Sequence, residues 1–256
     1  MRLSPGRSWT EDAFYTVVGM SVLRVGVAYP DPPFTAMPGQ TGLDIDVMTA
    51  LADALSEDVE FVPYDGADFE GIFDRLAAGD YDCVIAGITV TPERERKAAF
   101  LPPYLISGQA LAVDTARLPE VRSVDDLAGR TIGVQRGTTG EPVAEELVGA
   151  GKAARVRVYD YGAVTTAIAD LLTGGCDAVL TLAPVLTELV RQVPGVEVVQ
   201  RGLSVEDIAI AVNPADQQLL ARLQVAQAEL EEDGTLQRIR RGWLGSPYVD
   251  QSLGML

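Results

Sequence analysis

Two short stretches of the chain place hydroxyls, glycines and an arginine at the point where an apolar run gives way to a helical pattern. In "AGITVTPER", Ala86 to Arg94, the run ends in Thr89 and Thr91 and is followed by Pro92, Glu93 and Arg94. Thr91 reads as a helix N-cap, Pro92 as the first helical residue and Glu93 as a favourable charge in the first turn. Arg94 falls in that same turn. A planar guanidinium beside the unsatisfied amides of a helix start forms a corner that binds a carboxylate. Thr89, Ile88 and the backbone at Gly87 stand at the C-terminal end of the strand, where open α/β sheets take their ligands. A capped helix with a solvated arginine is the plainer reading of the same spacing.

The second stretch is "TIGVQRGTTGEPVAEEL", from Thr131 to Leu147. A strand carrying Gln135 runs through Gly137, Thr138, Thr139 and Gly140 into a helix with Pro142 in its first turn. Exposed amides and two hydroxyls there could grip an anion from the opposite side. An ordinary strand-to-helix turn fits equally well, and the paired occurrence matters more than either motif alone.

The elements that must position these residues alternate along nearly the whole chain. "VLRVGVAY", "VEFVPY", "DCVIAG", "LAVDT", "TIGVQR", "RVRVYDY" and "DAVLT" read as strands. Amphipathic runs such as "LDIDVMTALADALS" lie between them, so the pattern is βαβ with largely parallel sheets. "IFDRLAAGDYDCVIAG" also lines up with "AIADLLTGGCDAVLTL": each is a helix closed by a glycine, Gly79 or Gly174, then Asp82 or Asp177, then a buried strand. Two similar α/β lobes follow. We assign residues 22–107 plus 207–245 to the first lobe and 108–206 to the second, with 1–21 an unassigned extension and 246–256 a tail. The tail "DIAIAVNPADQQLL" onward is expected to return to the first lobe, leaving two crossings that act as a hinge.

Composition limits the chemistry. The 256 residues are 47% hydrophobic and 22% charged, which fits a folded globular chain rather than a disordered one. The formal net charge is −17, from 37 acidic and 20 basic residues, which argues against nucleic acid and anionic membrane as partners. There is no histidine, so imidazole bases, His-based triads and His-ligated metals are excluded. Cys83 and Cys176 sit in apolar runs without CxxC spacing and read as buried structural thiols. No metal site and no cofactor are expected: "GAGKAA" lacks the P-loop pattern, and "DGADFEGIFD" lacks the EF-hand order. No segment reads as a membrane-spanning helix. "MRLSPGRSWTEDAFYTVVGMS" is a poor secretory signal, interrupted by Glu11 and Asp12; this leaves an intracellular chain, or a mature or excised domain, as the alternatives.

Read together, "LRVGVAYPDPPF", "TGLDIDVMTALADAL", "DFEGIFDRLAAGDYDCVIAGITVTPERERKAAFLPPY", "SVDDLAGRTIGVQRGTTGE", "CDAVLTLAP" and "EEDGTLQRIRRGWLG" resemble the family 3 extracellular solute-binding proteins. These are the polar amino-acid-binding components of ABC transporters. The resemblance runs from Val22 to about Gly245. It implies an α/β protein of two Rossmann-like lobes joined by a two-strand hinge, the periplasmic-binding-protein type II architecture. It implies a small carboxylate or amino-acid ligand held between the lobes, an ABC permease or a sensor domain as recipient, a monomer, and an extracytoplasmic location. Residue by residue, it places Arg94 on the ligand's α-carboxylate, helped by Thr89 and the backbone of Gly87. Thr138 and Thr139 would meet the ligand from the second lobe with Gln135 nearby, and Phe69 would form an apolar wall.

Two departures from the family pattern bear on the ligand. The second-lobe strand usually ends in an aspartate that pairs with the ligand's α-ammonium group; here that position is Leu182. A buried ammonium facing leucine would cost several kcal/mol without another partner. The aromatic that usually precedes "PPF" is Asp31, with Tyr29 as the substitute if the loop shifts. Either Asp31 supplies the missing carboxylate and the ligand is cationic, or Asp31 points to solvent and the ligand lacks an α-amine. A turn residue between prolines is the plainer reading of Asp31. The resemblance also leaves an enzyme open, a dehydratase similar to cyclohexadienyl dehydratase acting on prephenate or arogenate. It would need an acid in the cleft, for which Asp31 and Glu141 are the candidates.

Overall fold

The structure is a computed structural model that describes residues 22–36 and 40–245. The stretches 1–21 and 246–256, set apart in the sequence, lie outside the described residues. The chain begins with β1 (Val22–Ala28), α1 (Leu43–Leu55), β2 (Asp58–Tyr64), α2 (Gly71–Ala77), β3 (Cys83–Val84) and β4 (Ala99–Phe100). After β5 (Leu105–Ser107) come β6 (Gln109–Asp114), β7 (Thr131–Gln135), α3 (Gly140–Gly149), β8 (Arg155–Tyr159), α4 (Val164–Thr173), β9 (Ala178–Leu182), α5 (Ala183–Val190) and β10 (Val196–Gln200). The chain then passes through β11 (Glu206–Ile208) and β12 (Ala211–Val212) into α6 (Gln217–Glu232) and α7 (Thr235–Leu244).

Two five-stranded sheets result, ordered β2-β1-β3-β12-β4 and β10-β6-β9-β7-β8, and each is the centre of one lobe. Among the described residues only β5 and β11 belong to neither; they pair antiparallel, Ser107 with Glu206 and Leu105 with Ile208, as the two strands of the hinge. β12 returns to the first sheet and pairs with β3 and β4, so α6 and α7 pack on that lobe. Leu219, Leu223, Ala226 and Leu236 close over Leu43, Val47, Met48 and Leu51 of α1, one continuous apolar cluster.

The internal repeat is structural. α2 and α4 are followed by Gly79 at φ 79° and Gly174 at φ 88°, left-handed positions that suit glycine. Asp82 then accepts the amide of Arg24 at 2.8 Å, and Asp177 accepts the amide of Thr131 at 2.8 Å. Each aspartate thus ties the start of its own strand to the neighbouring parallel strand. In both lobes a glycine of that neighbour lies under an aromatic ring. A Cβ on Gly26 would stand 2.6 Å from the Tyr81 ring, and one on Gly133 3.0 Å from the Tyr159 ring. The two strands β3 and β9 therefore emerge at equivalent places, with their C-terminal ends facing one another across the cleft.

Candidate functional site

β3 ends at Val84, and the chain leaves it through Gly87, whose φ of 55° is left-handed and whose missing Cβ makes room for the Phe34 ring. The next residues pair with the hinge: Val90 donates to the Asp207 carbonyl and Ala209 to that of Ile88. The predicted helix after Thr91 is a correction. Only one turn of 3-10 helix forms, Arg94–Arg96, so no long helix dipole backs the corner. Thr91 still caps the turn, accepting the Arg94 amide at 3.2 Å.

Arg94 is 3% exposed and lines the cleft between the lobes. Nε donates to Glu70 at 2.8 Å, Nη1 to the Thr89 carbonyl at 3.0 Å and Nη2 across the cleft to the Gly137 carbonyl at 3.0 Å. One N–H on each Nη stays uncommitted among the described residues, so donors remain for a carboxylate. The guanidinium also lies over Phe69, 5.0 Å from the ring centre, which adds attraction without consuming a donor. Burial alone would raise the Glu70 carboxyl, but hydrogen bonds from Lys97 and Arg94 outweigh it and hold the group below its ordinary value.

The second lobe presents Gln135, Thr138 and Thr139 at the end of β7 and the start of α3. Gln135 donates to the Tyr161 carbonyl at 2.6 Å, and Thr138 folds back to the Gln135 carbonyl at 2.8 Å. The expected amide grip is diminished, because Glu141 accepts the Gly137 amide at 2.8 Å. Further contacts cross between lobes: the Tyr161 backbone amide donates to the Ala67 carbonyl at 2.7 Å and the Phe69 amide to that of Arg136 at 3.2 Å. The lobes are closed on one another. They enclose a cavity of about 30 Å³, reached from a groove of about 650 Å³ that Arg94, Thr138 and Thr139 also line.

Asp31 lies in the cavity wall and is 6% exposed, so its placement toward solvent is excluded. Burial pushes its carboxyl up to about 7; the nearby Tyr161 hydroxyl pulls it back down and the Asp44 charge adds to the rise. Asp44, at the first turn of α1, is likewise raised to about 7 by burial, against hydrogen bonds from Tyr104 and the Gly87 amide. The Gly87 amide is therefore committed to Asp44 and is not free for a ligand, which corrects that part of the expected site.

The remaining predicted residues divide plainly. Phe69, Gly87, Thr89, Arg94, Gln135, Thr138, Thr139, Leu182 and Asp31 surround one cavity. Ile88 does not: it is fully buried in the apolar core with Phe73 and Tyr81, because its side chain points away from the cleft. Tyr29 is half-buried and outside the cavity wall, since Asp31 and not a shifted aromatic occupies that place. Glu141 faces the outer groove and caps Gly137. The sequence reading missed Gln109, Tyr161, Thr181 and Val185 in the wall and Glu206 behind it. Tyr161 stands just past the end of β8, a position that could have signalled it. Glu206 gave no local signal.

A closed cleft between two doubly wound lobes, hinged on two strands and holding a buried guanidinium and a buried carboxylate, defines a two-lobed ligand-binding protein. The chain belongs to the bacterial extracellular solute-binding proteins, family 3, whose family model matches residues 23–246. ABC transporter arginine-binding protein 1 of Escherichia coli (strain K12) is 28% identical over 234 residues, 86% of this chain and 90% of that protein. An ancestral arginine-binding protein solved bound to arginine superposes with a TM-score of 0.80 at 35% identity, covering 88% of this chain and 99% of that one. An ancestral amino acid-binding protein, a precursor of cyclohexadienyl dehydratase, superposes at 0.77 and 32% identity, covering 87% and 95%. The fold class and the solute-binding function expected from the sequence both stand.

Proposed function

We propose that this chain captures an amino acid bearing a cationic group, with its carboxylate on Arg94 and the cationic group on Asp31, for delivery to an ABC permease. One observation carries the reading: a buried guanidinium with uncommitted donors and a buried carboxyl with no cationic partner among the described residues line the same cavity. The arginine named for two of the similar proteins supports a ligand of this class. A net charge of −17 draws such a ligand in and speeds its encounter. We read it as a monomer acting outside the cytoplasmic membrane; the family description, extracellular solute-binding proteins, supports the location. A receptor's sensor domain would use the same closure.

The cavity of about 30 Å³ holds about one water, so an amino acid enters through the groove only as the lobes part. Binding energy then goes into re-closing them. We read the site as a binder and not a dehydratase because the family and the similar proteins are solute-binding proteins; of the two candidate acids Glu141 caps Gly137 in the groove, while Asp31 lines the cavity. Thermal shift on refolded, ligand-free protein tests the reading. An amino acid with a cationic side chain at a hundred times its dissociation constant stabilises the fold by about 2.7 kcal/mol. A shift confined to amine-free carboxylates overturns it. Formation of product from prephenate, abolished by Arg94→Ala, would establish the enzyme instead.

A further inference from the structure

Glu206 stands on the hinge strand β11, is 5% exposed, and has no cationic partner among the described residues. Its carboxylate is met by four donors drawn from the hinge and both lobes. Oε2 accepts from Thr89 Oγ1 at 2.5 Å and Thr139 Oγ1 at 2.7 Å; Oε1 accepts from Gln109 Nε2 at 2.9 Å and Ser204 Oγ at 2.6 Å. Gln109 Nε2 also reaches Thr139 Oγ1 at 3.1 Å, and facing a carboxylate fixes that amide with its nitrogen forward.

A hydroxyl has one hydrogen. Those of Thr89 and Thr139 are both committed to Glu206, so what they can turn toward the cavity is lone pairs. Two acceptors with a full negative charge directly behind them repel a carboxylate and receive a donor cation. Their place fixes which cation. Arg94 Nη1 is bonded to the carbonyl of Thr89 itself, so a carboxylate on Arg94 sits beside the Thr89 hydroxyl. We place the ammonium attached to the same carbon as that carboxylate there, and Asp31, which lies next to Tyr161, is left for another group.

We propose that Glu206 acts as a positioning residue that turns Thr89 and Thr139 into an α-ammonium site, in place of the carboxylate absent at Leu182. Asp31 is then left for a cationic side chain, and the ligand class is a basic α-amino acid. This rests on the reading of Arg94 as the carboxylate site, and it reassigns Thr89 from helper of the carboxylate to acceptor of the amine.

The test is calorimetric titration with lysine, with ε-aminocaproate (lysine without its α-amine) and with norleucine (lysine without its ε-amine). The native chain is expected to prefer lysine over ε-aminocaproate by about tenfold or more. Glu206→Gln removes the negative charge behind the threonine hydroxyls, so that preference collapses to near unity. Asp31→Asn keeps the α-amine preference and loses that for lysine over norleucine. A merely structural Glu206 would weaken all three ligands alike, and an undiminished α-amine preference in Glu206→Gln overturns the proposal. Equal affinity of the native chain for lysine and ε-aminocaproate overturns it too, while leaving the carboxylate site standing. If none of the three binds, the carboxylate reading itself has failed and this one with it. Should Glu206→Gln not fold, Thr89→Val carries the same test by removing the acceptor: collapse supports the proposal and retained preference overturns it.

Discussion

The carboxylate of Asp44 accepts the amide of Gly87 at 2.9 Å and fixes the backbone corner from which Thr89 and Arg94 project. Its second oxygen accepts the Tyr104 hydroxyl at 2.6 Å, so both of its donors are buried with it. Asp44→Ala leaves an amide and a phenol without acceptors, and is expected to cost about 2–4 kcal/mol. Gly87→Ala forces a side chain into φ 55° and against the Phe34 ring, which costs about 1–2 kcal/mol for the backbone alone. Urea unfolding measures both. A loss under about 0.5 kcal/mol in either variant would mean the corner is held by something else.

Arg94→Lys separates charge from geometry. A lysine keeps the positive charge but loses the side-by-side N–H pair and the stacking over Phe69. Glu70 keeps its 2.5 Å ion pair with Lys97, so the wall of the groove stays neutralised and the variant folds. Affinity for an amino-acid ligand is expected to fall by about a hundredfold, close to 3 kcal/mol. A fall of less than about threefold in calorimetry would move the carboxylate elsewhere.

The sequence made most of the strands and the repeat readable because both rest on local signals: apolar runs of strand length, glycines closing helices, and an aspartate preceding each buried strand. The expectation of largely parallel sheets is corrected: β12 runs antiparallel to β3 and β4, and β6 to β9 and β10, pairings that join distant parts of the chain. Arg94, Thr89 and the Thr138-Thr139 pair were legible because a turn presents them next to each other in the chain. What lay hidden depends on contacts far apart in sequence. Glu206 meets Thr89 from 117 residues away, and Gln109 from 97. Ile88 and Thr89 are neighbours in an extended segment, so one enters the core while the other faces the cleft. The commitment of the Gly87 amide to Asp44, 43 residues earlier, could not be read from the turn itself.

Ligand-free stability should fall as pH rises. Asp31 and Asp44 are each raised by burial to about 7, against about 4 in the unfolded chain. A carboxyl raised on folding contributes stability that is fully present below the unfolded value and lost as pH climbs through the folded one. The gap corresponds to about 4 kcal/mol for one such group alone, and the pair contributes less than twice that because part of the Asp31 rise comes from the Asp44 charge. Urea midpoints are therefore expected to decline between about pH 5 and pH 8, and Asp44→Asn to flatten part of that decline. A midpoint that rises over this window would contradict the burial of these two carboxyls.

Ligand affinity should run the other way. A cationic group can pair with Asp31 only after its carboxyl has lost its proton, and in the free protein that happens near 7. Binding then holds the carboxylate ionised, so each binding event below that pH expels a proton. Affinity for lysine or arginine is expected to rise about tenfold per pH unit below about 7 and to level off above it. Calorimetry in buffers of different ionisation enthalpy counts the proton directly. Asp31→Asn should bind more weakly and show neither the slope nor the proton, while norleucine, which offers Asp31 no cation, should show neither in the native protein. A flat profile for lysine in the native chain would place its cationic side chain away from Asp31, whatever the affinity at neutral pH.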